Sequence, residues 1–411
     1  MKKVTPMIIL LLVLSLSLSA FSVSMASAAE DSWTTKASMP SALGRQGNAV
    51  VNGKIYVIRG SINYEYDPAS DTWATKKPMP TPRYYFGIAV CQNKIYVIGG
   101  VTDFIWNSEI GTTWTGVNEA YDPLTDTWET MAPMPTNRSS MQTSVVDGKF
   151  YIMGGTTGYD QTKSEYTFCA TTEAYDPLTN TWETKNPIPT KKQYFVANVV
   201  DNKIYCIGGD VGNNNYTDVN EAYDPATDSW TTKASIPIPV SSYSSVVVDK
   251  KIYVITTDFF GETNSNQIYD VKSDTWTSGE NLPINISRAS VVATTGIMAP
   301  KRIYAIGGYT VNTTVIAFNT TYVYDPEADV WSSCASMPTS RYGVGVVVID
   351  DVLYAIGGET DFMKYTAAVE QYTPTGYIPE FPTWTPMLFA LGIVAIVAVI
   401  YKRKLSKVSA N

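Results

Sequence analysis

Residues 119–135 read EAYDPLTDTWETMAPMP, and the chain writes the segment again as EAYDPLTNTWETKNPIP over 173–189 and as EAYDPATDSWTTKASIP over 221–237. A motif that carries out chemistry is normally present once, so a segment repeated this closely is architecture. Aligned on tryptophan, the repeats place Trp33, Trp73, Trp128, Trp182, Trp230, Trp276 and Trp331 at spacings of 40, 55, 54, 48, 46 and 55 residues. Any fold for this chain must therefore supply the same supersecondary unit about every 50 residues.

Two further features recur in fixed order. A strand-like apolar run ends in a small-residue doublet at Gly99-Gly100, Gly154-Gly155, Gly208-Gly209, Gly307-Gly308 and Gly357-Gly358, with degenerate forms at Arg59-Gly60 and Thr256-Thr257. A tyrosine stands seven residues before the next tryptophan at Tyr66, Tyr121, Tyr175, Tyr223, Tyr269 and Tyr324, and Tyr372 repeats it without a tryptophan. Asn52-Gly53 and Asp147-Gly148 suit two-residue hairpin turns between β-branched runs, and Tyr121-Asp122-Pro123 closes a third strand before the fourth, which carries Trp128. This diglycine, tyrosine and tryptophan pattern resembles the kelch repeat over about residues 31–375. The resemblance implies an all-β fold, a β-propeller with four antiparallel strands per blade.

Seven doublet positions and seven tyrosine positions predict seven blades, with six as the fallback should a degenerate unit fail to form a blade. The last unit lacks its tryptophan strand, whereas Asp31-Ser32-Trp33-Thr34-Thr35 precedes any complete unit. An N-terminal strand that completes the C-terminal blade would hide the edges an open sheet exposes.

The two ends read differently. Lys2 and Lys3, an apolar run over 7–18 and the small residues Ala26, Ser27, Ala28 and Ala29 have the layout of a secretory signal peptide covering 1–29, and the run is short for a first spanning helix. The expected divisions are a propeller over 30–375, a linker over 376–383, a transmembrane helix over 384–401 and a basic cytoplasmic tail over 402–411. The stretch 381–401 is uncharged, and Lys402, Arg403, Lys404 and Lys407 follow it, which places the propeller outside the cell. Pro379-Glu380-Phe381 before that stretch resembles the PEF-type C-terminal sorting signals of archaeal surface proteins, which implies that the helix is retained or exchanged for another anchor. Cys91, Cys169, Cys206 and Cys334 show no CxxC spacing, and their pairing is open; Cys206, in an apolar strand, reads as a small buried hydrophobe.

The formal net charge is −8 and no long basic run precedes the last ten residues, which excludes nucleic acid as a partner. The chain has no histidine, so histidine bases, Ser-His-Asp arrangements and imidazole metal ligands are excluded together. Galactose oxidase shares the kelch propeller, but its copper chemistry needs histidines. Glu119, Glu173, Glu221 and Glu370 occupy one repeat position, which favours a structural role over glycoside chemistry. The loop 210–218, DVGNNNYTD, has oxygen ligands but not the spacing of a calcium loop. No cofactor and no metal are expected.

Alternating strand direction puts the long insertions after each doublet on the same face as the connections between blades. Arginines and aromatics gather there, as they do in binding hot spots. The candidate contacts are Arg45, Arg83, Tyr84, Trp106, Trp114, Arg138, Tyr166, Tyr194, Tyr216, Phe259, Arg288, Arg341 and Tyr342, with the alternative for the arginines that they anchor loops. Sequons at Asn137, Asn215, Asn285, Asn312 and Asn319 fit an extracellular chain. The expected function is a surface-anchored binding module for a protein or a cell-surface glycan. The alternatives are a kelch-type sugar mutarotase or isomerase without metal, which the resemblance brings in, and a structural envelope protein.

Overall fold

A computed structural model describes residues 29–103, 112–212, 215–241, 244–257, 264–311 and 314–378. The expected signal peptide and anchor lie outside these. Seven four-stranded antiparallel sheets form the blades of a propeller, and the innermost strands contact one another in a closed ring. Blade two is representative: Gly87–Cys91, Lys94–Ile98, Asn118–Asp122 and Thr127–Met131 pair in order from axis to rim. In the last blade Ser32–Thr35 supplies the outer strand, Ser32 opposite Thr373 and Thr35 opposite Glu370. No helix long and apolar enough to cross a membrane is present among the described residues.

Local chemistry sets the blade shape. Asn52 and Gly53 have φ of 51° and 72°, and Asp147 and Gly148 have 48° and 75°, as tight hairpin turns require. The diglycine serves a close approach between blades. A Cβ on Gly99 would lie 2.7 Å from the Arg138 carbonyl oxygen, and one on Gly100 would lie 2.5 Å from the Tyr84 carbonyl oxygen. These carbonyls belong to the connections leading into blades three and two, so each doublet is wedged between neighbouring connections. Blade five, with Thr256-Thr257 instead, keeps its strands running on as Lys251–Thr257 and Asn264–Asp270.

The repeated tyrosine and tryptophan build the seams between blades. Tyr121 donates its hydroxyl to Asp126 Oδ1 at 2.7 Å, the same oxygen accepts the Lys77 amide at 3.0 Å, and Trp128 Nε1 donates to the Lys77 carbonyl at 2.8 Å. One residue leaving the preceding blade is thus held by both its N–H and its C=O. The clamp recurs on Ala37, Ala132, Asn186, Ala234 and Glu280. At the last seam Asp31, from the N-terminal end, accepts from Tyr372 and from the Ala335 amide, both at 2.8 Å, and Trp33 donates to the Ala335 carbonyl at 2.9 Å. The rings of Tyr121 and Trp128 pack with centroids 5.1 Å apart and a tilt of 43°, and their counterparts pack at 4.9–5.1 Å.

These clamps predict a pH response. Burial pushes the Asp71, Asp126 and Asp274 carboxyls up, but backbone amides and the tyrosine hydroxyls outweigh it and hold them below their ordinary 3.8. A depressed folded pKa contributes stability that is present above the unfolded value and lost as pH falls through the folded one. Thermal midpoints are therefore expected to be flat between about pH 5 and 8, where no histidine titrates, and to fall steadily once pH drops below about 4. A midpoint that changes between pH 6 and 8 would count against this assignment.

Candidate binding face

Three of the arginines expected to contact a ligand do not reach the surface. Arg83, Arg138 and Arg341 are completely buried. Arg83 pairs with Glu119 and donates to the Val97 carbonyl at 2.6 Å; Arg138 pairs with Glu173 and donates to the Ile152 carbonyl at 3.0 Å. Arg341 pairs with Glu370 at 2.8 Å and donates to the carbonyls of Ala355, Gly357 and Ala368. Lys192 takes the same place in blade four, 2.9 Å from Glu221. Burial of a cation is tolerated where its charge is paired and hydrogen-bonded, and each of these meets a carboxylate and at least one carbonyl, although the Nε of each arginine has no hydrogen-bond partner among the described residues. The loop-anchoring alternative holds for all three, and the regular glutamates are their structural partners.

A second set of residues lies two positions further along the equivalent connections. Arg45, Tyr85, Ser140, Tyr194, Arg288 and Gly343 align in the repeat, and all take left-handed backbone with φ between 51° and 56°. Arg288 and Tyr85 are exposed, and Arg45 and Tyr194 half-buried. Arg45 Nε lies 2.8 Å from Glu359 Oε1. Burial alone would lower the Arg45 pKa, but the hydrogen bond and charge of Glu359, with Tyr85 and Tyr365 adding to them, hold it above its usual value. Burial also raises the Tyr85 hydroxyl; Arg45 opposes this, and Tyr194 adds to it. Groups supplied by the connections into blades one, two and four and by the insertion of blade seven thus act on one another, which locates them together around the mouth of the ring.

Tyr342 was expected to be a surface contact, but it is buried; its ring stands 4.7 Å from Tyr309 and its hydroxyl donates to Glu359 Oε2 at 3.2 Å. It forms the wall behind the mouth. Burial, the largest effect, raises the hydroxyl pKa of both Tyr309 and Tyr342, and the charges of Arg288 and Arg45 pull it back down. Two residues of this site escaped the sequence reading. Arg59 stands where other blades have the first glycine of the doublet, and its guanidinium lies 4.5 Å above the Tyr365 ring and 5.6 Å from that of Tyr84. Glu359 follows Gly357-Gly358 directly. An unusual residue at or next to a repeated doublet was the available signal in both cases.

The insertions rise as short hairpins around this mouth: Val101–Thr102 with Thr113–Trp114, Thr156–Asp160 with Glu165–Phe168, Tyr309–Val311 with Val315–Ala317, and Glu359–Asp361 with Lys364–Tyr365. Tyr84 bridges to Val101, Trp114 is half-buried in its hairpin, and Tyr166 is exposed on the next, 5.0 Å from Tyr159. Tyr216 is half-buried and bridges to Asp210. Trp106 and Phe259 lie outside the described residues. Both Asp210 carboxylate oxygens are engaged, by the Gly212 amide at 2.8 Å and by Gln193 Nε2 at 3.2 Å. No cluster of three or more acidic or thiol groups suited to a metal occurs among the described residues. All four cysteines are free thiols, and burial pushes the Cys206 thiol up to about 12. The mouth therefore offers guanidinium donors, phenol hydroxyls and aromatic faces, with one buried carboxylate already paired.

Comparison with known proteins agrees with the architecture. Residues 158–377 match the family model of the Attractin/LZTR1 β-propeller, and residues 82–135 match the kelch motif. Similar proteins include the Kelch-like protein terF of Aspergillus terreus, 29% identical over 44% of this chain and 31% of its own, and Kelch-like protein 15 of Danio rerio, 30% identical over 62% of this chain and 35% of its own. The chain thus spans about a third of the length of these relatives. Among solved structures, "Structure of YjhT" superposes with a TM-score of 0.52 at 18% identity, covering 81% of this chain and 96% of that one. A fungal alcohol oxidase of the AA5 family in complex with copper superposes at 0.64 and 14% identity, covering 85% of this chain and 79% of that one. At such identities both likenesses concern the fold alone. With more than half of its length matched by one family model, the chain belongs to the Attractin/LZTR1 β-propeller family and is a seven-bladed kelch-repeat propeller.

Proposed function

We propose that this protein is an extracellular, surface-tethered binding module that captures a protein or a cell-surface glycan at the mouth of its hairpin-bearing face. The observation that carries the reading is the convergence of Arg45, Arg288, Tyr85, Tyr194 and Tyr365 at one end of a rigid ring, while Arg83, Arg138 and Arg341 are withdrawn into the core. Tyrosine and arginine on a preorganised scaffold bind at low entropic cost. The secretion signal and anchor read from the two ends support an extracellular place. So do the sequons, of which Asn137, Asn215 and Asn285 are exposed on this face, while the Asn319 side chain donates to the Met337 carbonyl at 3.0 Å.

The test is a glycan array together with a pull-down of surface proteins, using the full chain in detergent. Arg288→Ala combined with Tyr194→Ala should weaken any ligand found by about 30-fold or more, the scale of hot-spot losses, without lowering the thermal midpoint. Unchanged binding by the double variant would remove the mouth as the site. The convergence of Arg45, Arg288 and Glu359 also favours a second reading, a sugar isomerase that works without a metal. Anomer exchange followed by NMR separates the two, because a binder leaves the exchange rate of every sugar tested at its buffer value.

A further inference from the structure

The chain leaves the propeller through the face opposite the hairpins. Thr373 pairs with Ser32 at the end of blade seven that carries the Asp350-Asp351 turn. Beyond it the Gly376 amide donates to Glu30 Oε2 at 2.8 Å, and the Ile378 amide donates to the Met298 carbonyl at 2.6 Å. Met298 lies in a loop between the first two strands of blade six, where the other blades have two-residue turns. Asp351 holds that loop by accepting from the amides of Thr295, Ile297, Met298 and Ala299. The C-terminal strap is thus docked on a loop shaped to receive it.

The four most exposed aliphatic side chains of the described residues all lie on this exit face: Leu124 at 93%, Ile297 at 79%, Leu178 at 75% and Ile378 at 68%. Leu124 and Leu178 occupy the turns between the third and fourth strands of blades two and three. Ile297 and Ile378 sit across the ring, at blades six and seven. Cations on this face are matched by acids: Lys149 with Asp176 at 3.2 Å, Lys203 with Asp224 at 2.9 Å, Arg302 with Asp325 at 2.7 Å, and Lys301 with Asp249. The face therefore offers protruding apolar points without a net positive field.

We infer that the exit face rests on the lipid surface, with the propeller axis upright and the hairpin face turned away from the membrane. The inference rests on the reading of 384–401 as an anchor. From Ile378 to residue 384 an extended chain spans at most about 20 Å. The hairpin face lies beyond the exit face by at least the length of a five-residue strand, about 17 Å. A reach of about 20 Å that starts on the exit face is nearly used up in passing the height of one strand, so the tether keeps the exit face, and not the hairpins beyond the opposite rim, nearest the bilayer, and a tether at one edge alone would let the ring tilt. Leu124 and Leu178 across the ring supply the second contact that lays it flat. Because the contact is apolar, it is insensitive to salt, unlike the binding of a basic patch to anionic lipid.

The full chain reconstituted in phosphatidylcholine nanodiscs tests this, with a benzophenone amino acid placed in turn at positions 124, 178, 297, 166 and 362. Irradiation should give lipid adducts from 124, 178 and 297 at least about tenfold above those from 166 and 362 on the hairpin face, in low salt and in 0.5 M salt alike. Equal labelling of the two faces overturns the inference, as do adducts from 124 and 178 to protein, which would mean a second copy on that face. Failure of the chain to incorporate into nanodiscs overturns the anchor reading and this inference with it. Incorporation without adducts at the exit face overturns this inference alone.

Discussion

Arg341→Ala is expected to destabilise the propeller by about 3–5 kcal/mol, the cost of leaving one member of a buried ion pair without its partner. The substitution strands the Glu370 carboxylate, which is 1% exposed, and releases the carbonyls of Ala355, Gly357 and Ala368. In thermal denaturation the midpoint should fall by about 5–10 °C at the scaling of a domain this size. Glu370→Gln should cost less, because the guanidinium keeps its three carbonyls and a neutral hydrogen bond. Arg288→Ala, at the exposed position two places along the equivalent connection, should change stability by no more than roughly 0.5 kcal/mol. If Arg288→Ala and Arg341→Ala cost the same, the division of these arginines into core anchors and mouth residues is wrong.

Deleting residues 30–36 should open the ring. The deletion removes the outer strand of the last blade, the Asp31 clamp on Tyr372 and Ala335, and the Trp33 side chain, which donates to the Ala335 carbonyl and packs at a tilt with its ring centroid 5.2 Å from that of Tyr372. Val369–Thr373 would then become an unpaired edge, the arrangement sheet proteins avoid because it recruits other strands. Hydrogen exchange should show loss of protection over 345–373 before the other blades, and the purified chain should self-associate. Retained protection at Val369–Thr373 would mean that the ring closes without this strand. Asp31→Ala alone removes two hydrogen bonds and should cost only ~1–3 kcal/mol, so the two variants separate the clamp from the strand.

The blade count and the closing strand could be read from the repeats because propeller geometry is local: a turn dipeptide, a doublet and a tyrosine–tryptophan pair each act within one blade or across one seam. The roles of individual arginines could not be read so directly. Arg45 and Arg83 both follow a Met-Pro pair, and the sequence reading grouped them. A two-residue difference in register decides that Arg83 points into the core toward Glu119, while Arg45 meets Glu359 at the mouth. The aspartate two residues before the tryptophan, the second in the repeated YDPLTDTW, also passed unnoticed, although it holds six of the seven seams through the amide of a residue 34–49 positions away, or 304 for Asp31.

By itself the sequence determined seven copies of a β unit, the absence of histidine and an N-terminal strand to complete the last copy, because periodic spacing and turn chemistry specify strands and their order; the propeller followed from the kelch resemblance. Only the tertiary structure decided which polar residues face water and which are spent holding the ring together. That choice depends on partners from other blades: Glu359, more than three hundred residues after Arg45, turns a connection arginine into part of a site, and Glu370, twenty-nine residues after Arg341, turns another into core. It also decided that the chain leaves by the face opposite that site, since the pairing of Ser32 with Thr373 fixes both ends of the fold at one side of the ring.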